Sequence, residues 1–162
     1  MFKTWNCETG YQSEKINWSH VSSNESEEVI RLLEANLEKI DWFALSGNSL
    51  KGAIRLLLAN PDKIDWDQLS CNKSEGAIRL LEAHPVKINW FALSYNKSDG
   101  AVRLLKSNLD KIHWLMLAYY NESEGAMSLL EANPDKINWS LLSFNQSEGA
   151  LRLLQANQNK IN

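Results

Sequence analysis

The large apolar side chains of this chain recur at spacings of three and four, and nowhere in the repeating pattern do they alternate. Residues 63–86 read KIDWDQLSCNKSEGAIRLLEAHPV. In the first half, Trp66 and Leu69 lie one helical turn apart, with Ile64 just ahead of them. In the second half, Ala77, Ile78, Leu80 and Leu81 form a stripe. A half-buried strand would alternate with period two, and neither segment does, so the spacing predicts two short helices, the first of about six residues and the second of about ten. On a wheel of 100° per residue the second stripe spans roughly 160°. That is too wide for one neighbouring helix and suits two.

The same pattern returns along the chain. Lys-Ile-(Asn/Asp/His)-Trp starts at Lys15, Lys39, Lys63, Lys87, Lys111 and Lys136, at intervals of 24 residues until the last, which is 25. The extra residue sits at Tyr119–Tyr120, and Lys160-Ile161-Asn162 begins a seventh unit. The expected fold is all-α, an α-solenoid of six helix–turn–helix repeats of about 24 residues: 15–38, 39–62, 63–86, 87–110, 111–135 and 136–159. Residues 1–14 read as a degenerate N-terminal cap, because Trp5 and Ser13 keep the separation of Trp66 and Ser74 while the second-helix segment is missing. No polar capping repeat closes the C-terminus. Trp18, Trp42, Trp66, Trp90, Trp114 and Trp139 occupy one repeat position and are expected to be the structural core of each unit. One unit carries too little apolar surface to offset the entropy of ordering its backbone, so the repeats must stack and share a core. Gly76 and its equivalents are expected to be small so that another helix can approach.

Helix boundaries follow from the polar residues between the stripes. Asn17, Asp41, Asp65, Asn89 and Asn138 precede the Trp and suit the N-cap, with His113 the weak member. Ile stands before each cap and an aliphatic residue four after it, the hydrophobic-staple arrangement. Asn24, Asn48, Asn72, Asn96, Asn121 and Asn145 are expected to end the first helix and cap the second, with the acid three residues on (Glu27, Glu75, Asp99, Glu124, Glu148) completing a capping box; Lys51 breaks this in the second repeat. Glu27/Arg31, Glu75/Arg79, Asp99/Arg103 and Glu148/Arg152 are spaced for ion pairs within the second helix. Asn36, Asn60, Asn108, Asn133 and Asn157 suit a left-handed C-terminal residue, and Pro61, Pro85 and Pro134 suit a helix stop.

Charge and chemistry narrow the function classes. The net charge is −3, which gives no general attraction to nucleic acid or to an anionic membrane. No apolar run approaches the length of a membrane span. Residues 1–10 contain one Lys and no apolar core of a secretory signal, so a cytoplasmic, non-secreted protein is expected. Cys7 and Cys71 form no motif and fit a reducing compartment. His20, His84 and His113 occupy three different repeat positions, so spacing assembles no metal site, and no His recurs beside the repeated Ser to act as a base. There is no phosphate-cradling Gly motif. No catalytic residue, metal or cofactor is expected. The Asn-x-Ser sequences match glycosylation sequons, and helix capping accounts for them. Ladders of Lys and Arg could meet nucleic acid one base per repeat, but acids adjoin most of them (Glu14, Glu38, Asp62, Asp110 and Asp135 precede Lys), so nucleic acid is a weak expectation.

Comparing repeats within the chain separates constrained from free positions. In the first helix the second position reads Ser19, Phe43, Asp67, Phe91, Leu115, Ser140, and the sixth reads Ser23, Gly47, Cys71, Tyr95, Tyr119, Phe144. Together with the third position these vary and share the side away from Trp. In the C-terminal half this side collects Phe91, Tyr95, Leu115, Met116, Tyr119, Tyr120, Leu141 and Phe144. Such a patch is a candidate protein-binding surface, since aromatic residues and Met are enriched at interface cores. The competing reading packs these residues onto neighbouring repeats.

The phrases NPDKIDW, LSxN and AIRLLEAN, found from residue 15 to residue 162, resemble the short helical repeats multiplied in giant DNA viruses of algae and amoebae. Asn60-Pro61-Asp62-Lys63-Ile64-Asp65-Trp66 matches that pattern directly, whereas Asn-x-Ser-Glu-Gly replaces the family's Asn-Pro before the second helix. The resemblance implies a virus-encoded repeat protein working in the host cell or the virion. The function expected is a protein–protein interaction scaffold with an unidentified partner. The alternative is a virion or assembly component that self-associates through its repeat ends.

Overall fold

The computed structural model describes residues 15–160. The expected cap at residues 1–14, and Ile161 and Asn162 of the seventh start, lie outside them. Twelve α-helices follow one another in pairs, and no strand occurs among the described residues. The first helices of the pairs are α1 (Trp18–Ser23), α3 (Trp42–Ser46), α5 (Trp66–Cys71), α7 (Trp90–Tyr95), α9 (Trp114–Tyr120) and α11 (Trp139–Leu142). The second helices are α2 (Glu27–Glu34), α4 (Lys51–Ala59), α6 (Glu75–Ala83), α8 (Asp99–Lys106), α10 (Glu124–Ala132) and α12 (Glu148–Ala156). First helices pack on first helices and second on second, repeat after repeat, which is the α-solenoid expected.

The core is continuous through the stack. Leu45, Leu57, Leu69, Ile78, Leu81 and Leu93 have no exposed surface and belong to one cluster that runs from repeat to repeat. The Trp residues differ from expectation. They are half-buried and pack against that cluster from its edge. An indole at the first position of a helix has solvent on one side, and the fully buried places go to the aliphatic residues one turn later. Glycine permits the close packing of second helices: a Cβ at Gly76 would stand 3.0 Å from Ile54 Cγ2, and one at Gly125 would stand 2.6 Å from Val102 Cγ1.

Each repeat also ends in a single 3-10 turn that the sequence reading omitted: Leu37–Lys39, Pro61–Lys63, Pro85–Lys87, Leu109–Lys111, Pro134–Lys136 and Gln158–Lys160. Pro61 and its equivalents open this turn as well as ending the α-helix. The left-handed residue expected at Asn60 is absent, since Asn60 has φ −135° and no described residue has positive φ. Its amide Nδ2 instead donates to Leu56 O at 2.9 Å, and His84 Nδ1 meets Leu80 O at the same distance.

The first-helix caps are as expected. Side-chain oxygens of Asn17, Asp41, Asp65, Asn89 and Asn138 accept backbone amides at 2.9–3.2 Å, while His113 Nδ1 accepts Met116 N at 3.4 Å. The second-helix caps correct the sequence reading. The capping residue is Ser74, not Asn72: Ser74 Oγ accepts from Ala77 N at 3.2 Å, and Glu75 is the first helical residue. Ser98, Ser123 and Ser147 do the same. An acid at that first position favours the helix dipole but cannot close a capping box.

The freed Asn residues join the repeats. Asn72 Nδ2 donates to Ser46 O at 3.0 Å and Asn48 O at 2.9 Å, both in the preceding repeat, while its Oδ1 accepts Ser74 N at 2.9 Å. Asn48, Asn96, Asn121 and Asn145 repeat the same three bonds, and all five are buried. A second rung comes from the buried Ser of the first helix. Ser46 Oγ donates to Trp42 O at 2.7 Å and accepts Asp65 N at 3.0 Å. Every buried side-chain nitrogen or oxygen among the described residues is paired.

The ion pairs of the second helices likewise run mostly between repeats. Among the described residues, only Glu75–Arg79, at 3.8 Å, forms within an α-helix. Arg103, expected on Asp99, reaches back to Glu75 at 3.0 Å, and Arg152, expected on Glu148, reaches Glu124 at 2.6 Å. The pair expected between Glu27 and Arg31 does not form.

Candidate aromatic binding surface

The free side of the first helices follows from their caps and their core contacts. Trp, the residue three on and the Ser after it turn inward, so positions two and six turn outward. In α7 these are Phe91 and Tyr95, whose rings meet edge to face with centroids 6.0 Å apart. In α9 the inserted residue is absorbed as one more helical residue. Asn121 N bonds Leu117 O, a four-residue step, where Asn72 N bonds Leu69 O across three. The insertion therefore places two rings side by side, Tyr119 and Tyr120, at 4.4 Å.

Those two rings bridge the neighbouring repeats. Tyr120 meets Tyr95 at 6.4 Å, and Tyr119 meets Phe144 at 5.8 Å. Five aromatic side chains thus form an unbroken row across three repeats. Phe91, Tyr95, Met116 and Tyr120 enclose a shallow cleft of about 330 Å³ between α7 and α9. Leu115 and Leu141 flank the row, Leu115 exposed and Leu141 half-buried. The rings pack against one another without being covered: Phe91 keeps 48%, Tyr120 52% and Phe144 62% of its surface in solvent.

Two residues that the sequence reading left out of the candidate patch belong to the edge of this surface. His113 lies edge-on to Phe91 at 4.9 Å. Cys71 Sγ lies 3.1 Å from Tyr95 Oη. The contact with Cys71, together with burial and the carboxylate of Asp67, pushes the Tyr95 phenol up to about 12. Both residues sit at repeat positions equivalent to members of the row or its caps, and repeat alignment across neighbouring units could have found them. Phe43 is exposed too, but stands apart from the row.

The remaining chemistry is sparse. No group of three or more His, Cys, Asp or Glu among the described residues is placed to hold a metal ion. No helix among them is long and apolar enough to cross a membrane. Three of the six Lys that close the 3-10 turns pair with the acids beside them: Lys63 with Asp62 at 3.7 Å, and Lys111 with Asp110 and Lys136 with Asp135, each at 3.0 Å. No protein-family model, curated protein or solved structure matches the chain.

Proposed function

We propose that this chain is a protein-interaction scaffold without catalytic activity, and that the aromatic row on α7, α9 and the residues after α11 is its binding surface. The observation that carries this reading is the row's continuity together with its exposure. Interfaces place Tyr, Phe and Met at their centres, where stiff, large side chains lose little entropy on binding. The stacked helices hold the rings in fixed register, as a preorganised surface requires. The net charge of −3, and the pairing of Lys63, Lys111 and Lys136 with adjacent acids, give phosphate little to hold, which disfavours nucleic acid. The repeat phrases suggest a virus-encoded protein acting in the host cytoplasm or the virion.

The test is capture of partners from host-cell lysate by the chain and by a variant with Phe91, Tyr95, Tyr119 and Phe144 all changed to Ser. The proposal expects the partners to be lost while circular dichroism stays unchanged. Retention of the same partners would refute the row as the surface.

One observation favours a second reading, a structural component that assembles with itself. The Asn and Ser bonds joining repeats are head-to-tail, each repeat donating backward and accepting forward, and contacts of that kind can also join whole molecules into filaments. Light scattering across concentration separates the two readings. Growth in mass with concentration supports assembly, and a constant monomer mass excludes it.

A further inference from the structure

The two ends of the helix stack are not alike. Inside the stack, each second helix meets the next in the same way. The fourth residue of one helix (Ile30, Ile54, Ile78, Val102 or Met127) lies against the glycine at the second position of the following one. A Cβ added at Gly52, Gly76, Gly100, Gly125 or Gly149 would come within 2.5–3.0 Å of that side chain. All five junctions are therefore built on the absence of a side chain there. Ala follows the glycine each time, and Ala53, Ala77, Ala101, Ala126 and Ala150 have no exposed surface.

Among the described residues no second helix precedes α2 and none follows α12. At the α2 end Glu28–Val29 replaces the Gly–Ala pair. Glu28 is exposed, and its carboxylate accepts Ser26 Oγ at 2.6 Å. A neighbour arriving as the internal repeats do would strip water from that charge and meet a larger side chain beside it, which closes this face. At the α12 end nothing is blocked. Leu151 stands where Ile30, Ile54 and Ile78 stand, but keeps 54% of its surface in solvent against 0–7% for those three. Leu154, the counterpart of the fully buried Leu81, is only half-buried. Ser143 and Asn145 hold the places of Ser46 and Asn48, so the carbonyls that receive Asn72 within the stack have counterparts here.

We infer that the outer face of α12 docks a helix pair of a partner protein, one built like these repeats and carrying Gly–Ala at the second and third positions of its second helix. The face continues the interface that joins the repeats, so what fits the five internal junctions fits it too. The glycine lets the partner's backbone close over Leu151. An Asn two residues before the partner's capping Ser donates to the carbonyls of Ser143 and Asn145. Burial of Leu151 and Leu154 drives the contact, and the glycine and the Asn select the partner. A second copy of this chain is the wrong occupant, because its first repeat brings Glu28 and Val29 to the contact. That counts against self-assembly through the repeat ends.

The probe is a peptide of residues 66–86, which supplies the helix pair that would follow Lys160-Ile161-Asn162 in a seventh unit. It is titrated onto the full chain while helical content and the melting midpoint are followed. Binding is expected, with a gain in helix on mixing and a higher midpoint. The same peptide carrying Gly76→Glu with Ala77→Val should bind at least about tenfold more weakly. Leu151→Glu in the chain should abolish binding and leave the chain's own melt close to the parent's, since Leu151 is exposed. The chain alone should sediment as a monomer at every concentration. Equal binding of the two peptides, binding that survives Leu151→Glu, or a chain mass that grows with concentration would each overturn the inference. So would an absence of binding. That includes the case in which the peptide raises the midpoint only when joined covalently after Asn162, because the face then takes a further repeat of its own chain and not a partner.

Discussion

Asn72 Nδ2 lies 2.9 Å from the backbone oxygen of Asn48, its own counterpart one repeat earlier. Asn48 in turn donates to Asn24 O at 3.0 Å, and Asn96 to Asn72 O at 3.0 Å. Each side chain thus satisfies a carbonyl that belongs to the preceding Asn in the series. The ladder runs through the interior, parallel to the apolar core, and supplies directional bonds where aliphatic contacts alone would let the repeats slide.

Changing Asn72 to Ala removes three bonds at once, two of them buried, and leaves Ser46 O and Asn48 O without its amide donor. Buried groups left unpaired cost about 1–3 kcal/mol each, so the substitution should lower unfolding free energy by about 3 kcal/mol or more in urea titration. Asn36→Ala, which removes one exposed bond to Leu32 O, should cost no more than about 1 kcal/mol. Equal costs at the two sites would show that the ladder adds nothing beyond a local turn.

The glycines make opposite predictions according to their surroundings. Gly125→Ala would bring a methyl to 2.6 Å from Val102 Cγ1 and should destabilise by about 1–3 kcal/mol through overpacking. Much of that should return when Val102 is also changed to Ala. At Gly47 the added carbon meets nothing nearer than Ala44 O at 3.6 Å, and φ is −81°, so Ala there should stabilise by about 0.4–1 kcal/mol. Thermal melts of the three variants check both signs.

Ala118 occupies the position of Ser22, Ser46, Ser70 and Ser94, whose hydroxyls accept the first backbone amide of the next repeat's cap. Ala has no such acceptor, and no bond of this kind reaches Asn138 N. Ala118→Ser should therefore raise stability by about 1 kcal/mol. A loss of stability would mean that the extra residue in α9 has moved this position out of register.

Tyr95 gives a pH signature. Its folded-state pKa, about 12, lies above the ordinary tyrosine value of about 10. A raised pKa means the neutral phenol is favoured by the fold. The stabilisation is complete below pH ~10 and is lost as pH rises toward ~12. In ultraviolet titration of phenolate, Tyr95 should ionise last, and Cys71→Ala should bring its transition down. A Tyr95→Phe variant should lose less stability between those pH values than the parent chain does.

Local chemistry in the sequence was enough for the helix pairs, the first-helix caps and the outward side of the aromatic row, because Trp66, Asp65 and Leu69 act on residues within a turn of themselves. Asn72 was misread because its partners Ser46 and Asn48 are 26 and 24 residues away. Before the stacking geometry is known, the only visible partners are local ones, and a helix cap is the obvious use for such an Asn. Arg103 was misassigned for the same reason: Asp99 is nearer along the chain, but Glu75 is nearer across the seam. Asn60 was misread because its amide can bond Leu56 O directly, which removes the need for a left-handed residue. The row's members were legible as residues, whereas their continuity depended on how α9 absorbs its extra tyrosine.

The central claim is that neighbouring repeats, through shared core and Asn ladder, hold each unit in shape. The second helices have at most nine residues, below the roughly 12–15 at which an isolated helix becomes even marginal in water. The most direct measurement is circular dichroism of a peptide spanning residues 63–86, scanned with temperature in dilute buffer. The account predicts a coil spectrum and no cooperative transition; a helical spectrum with a sigmoidal melt would contradict it.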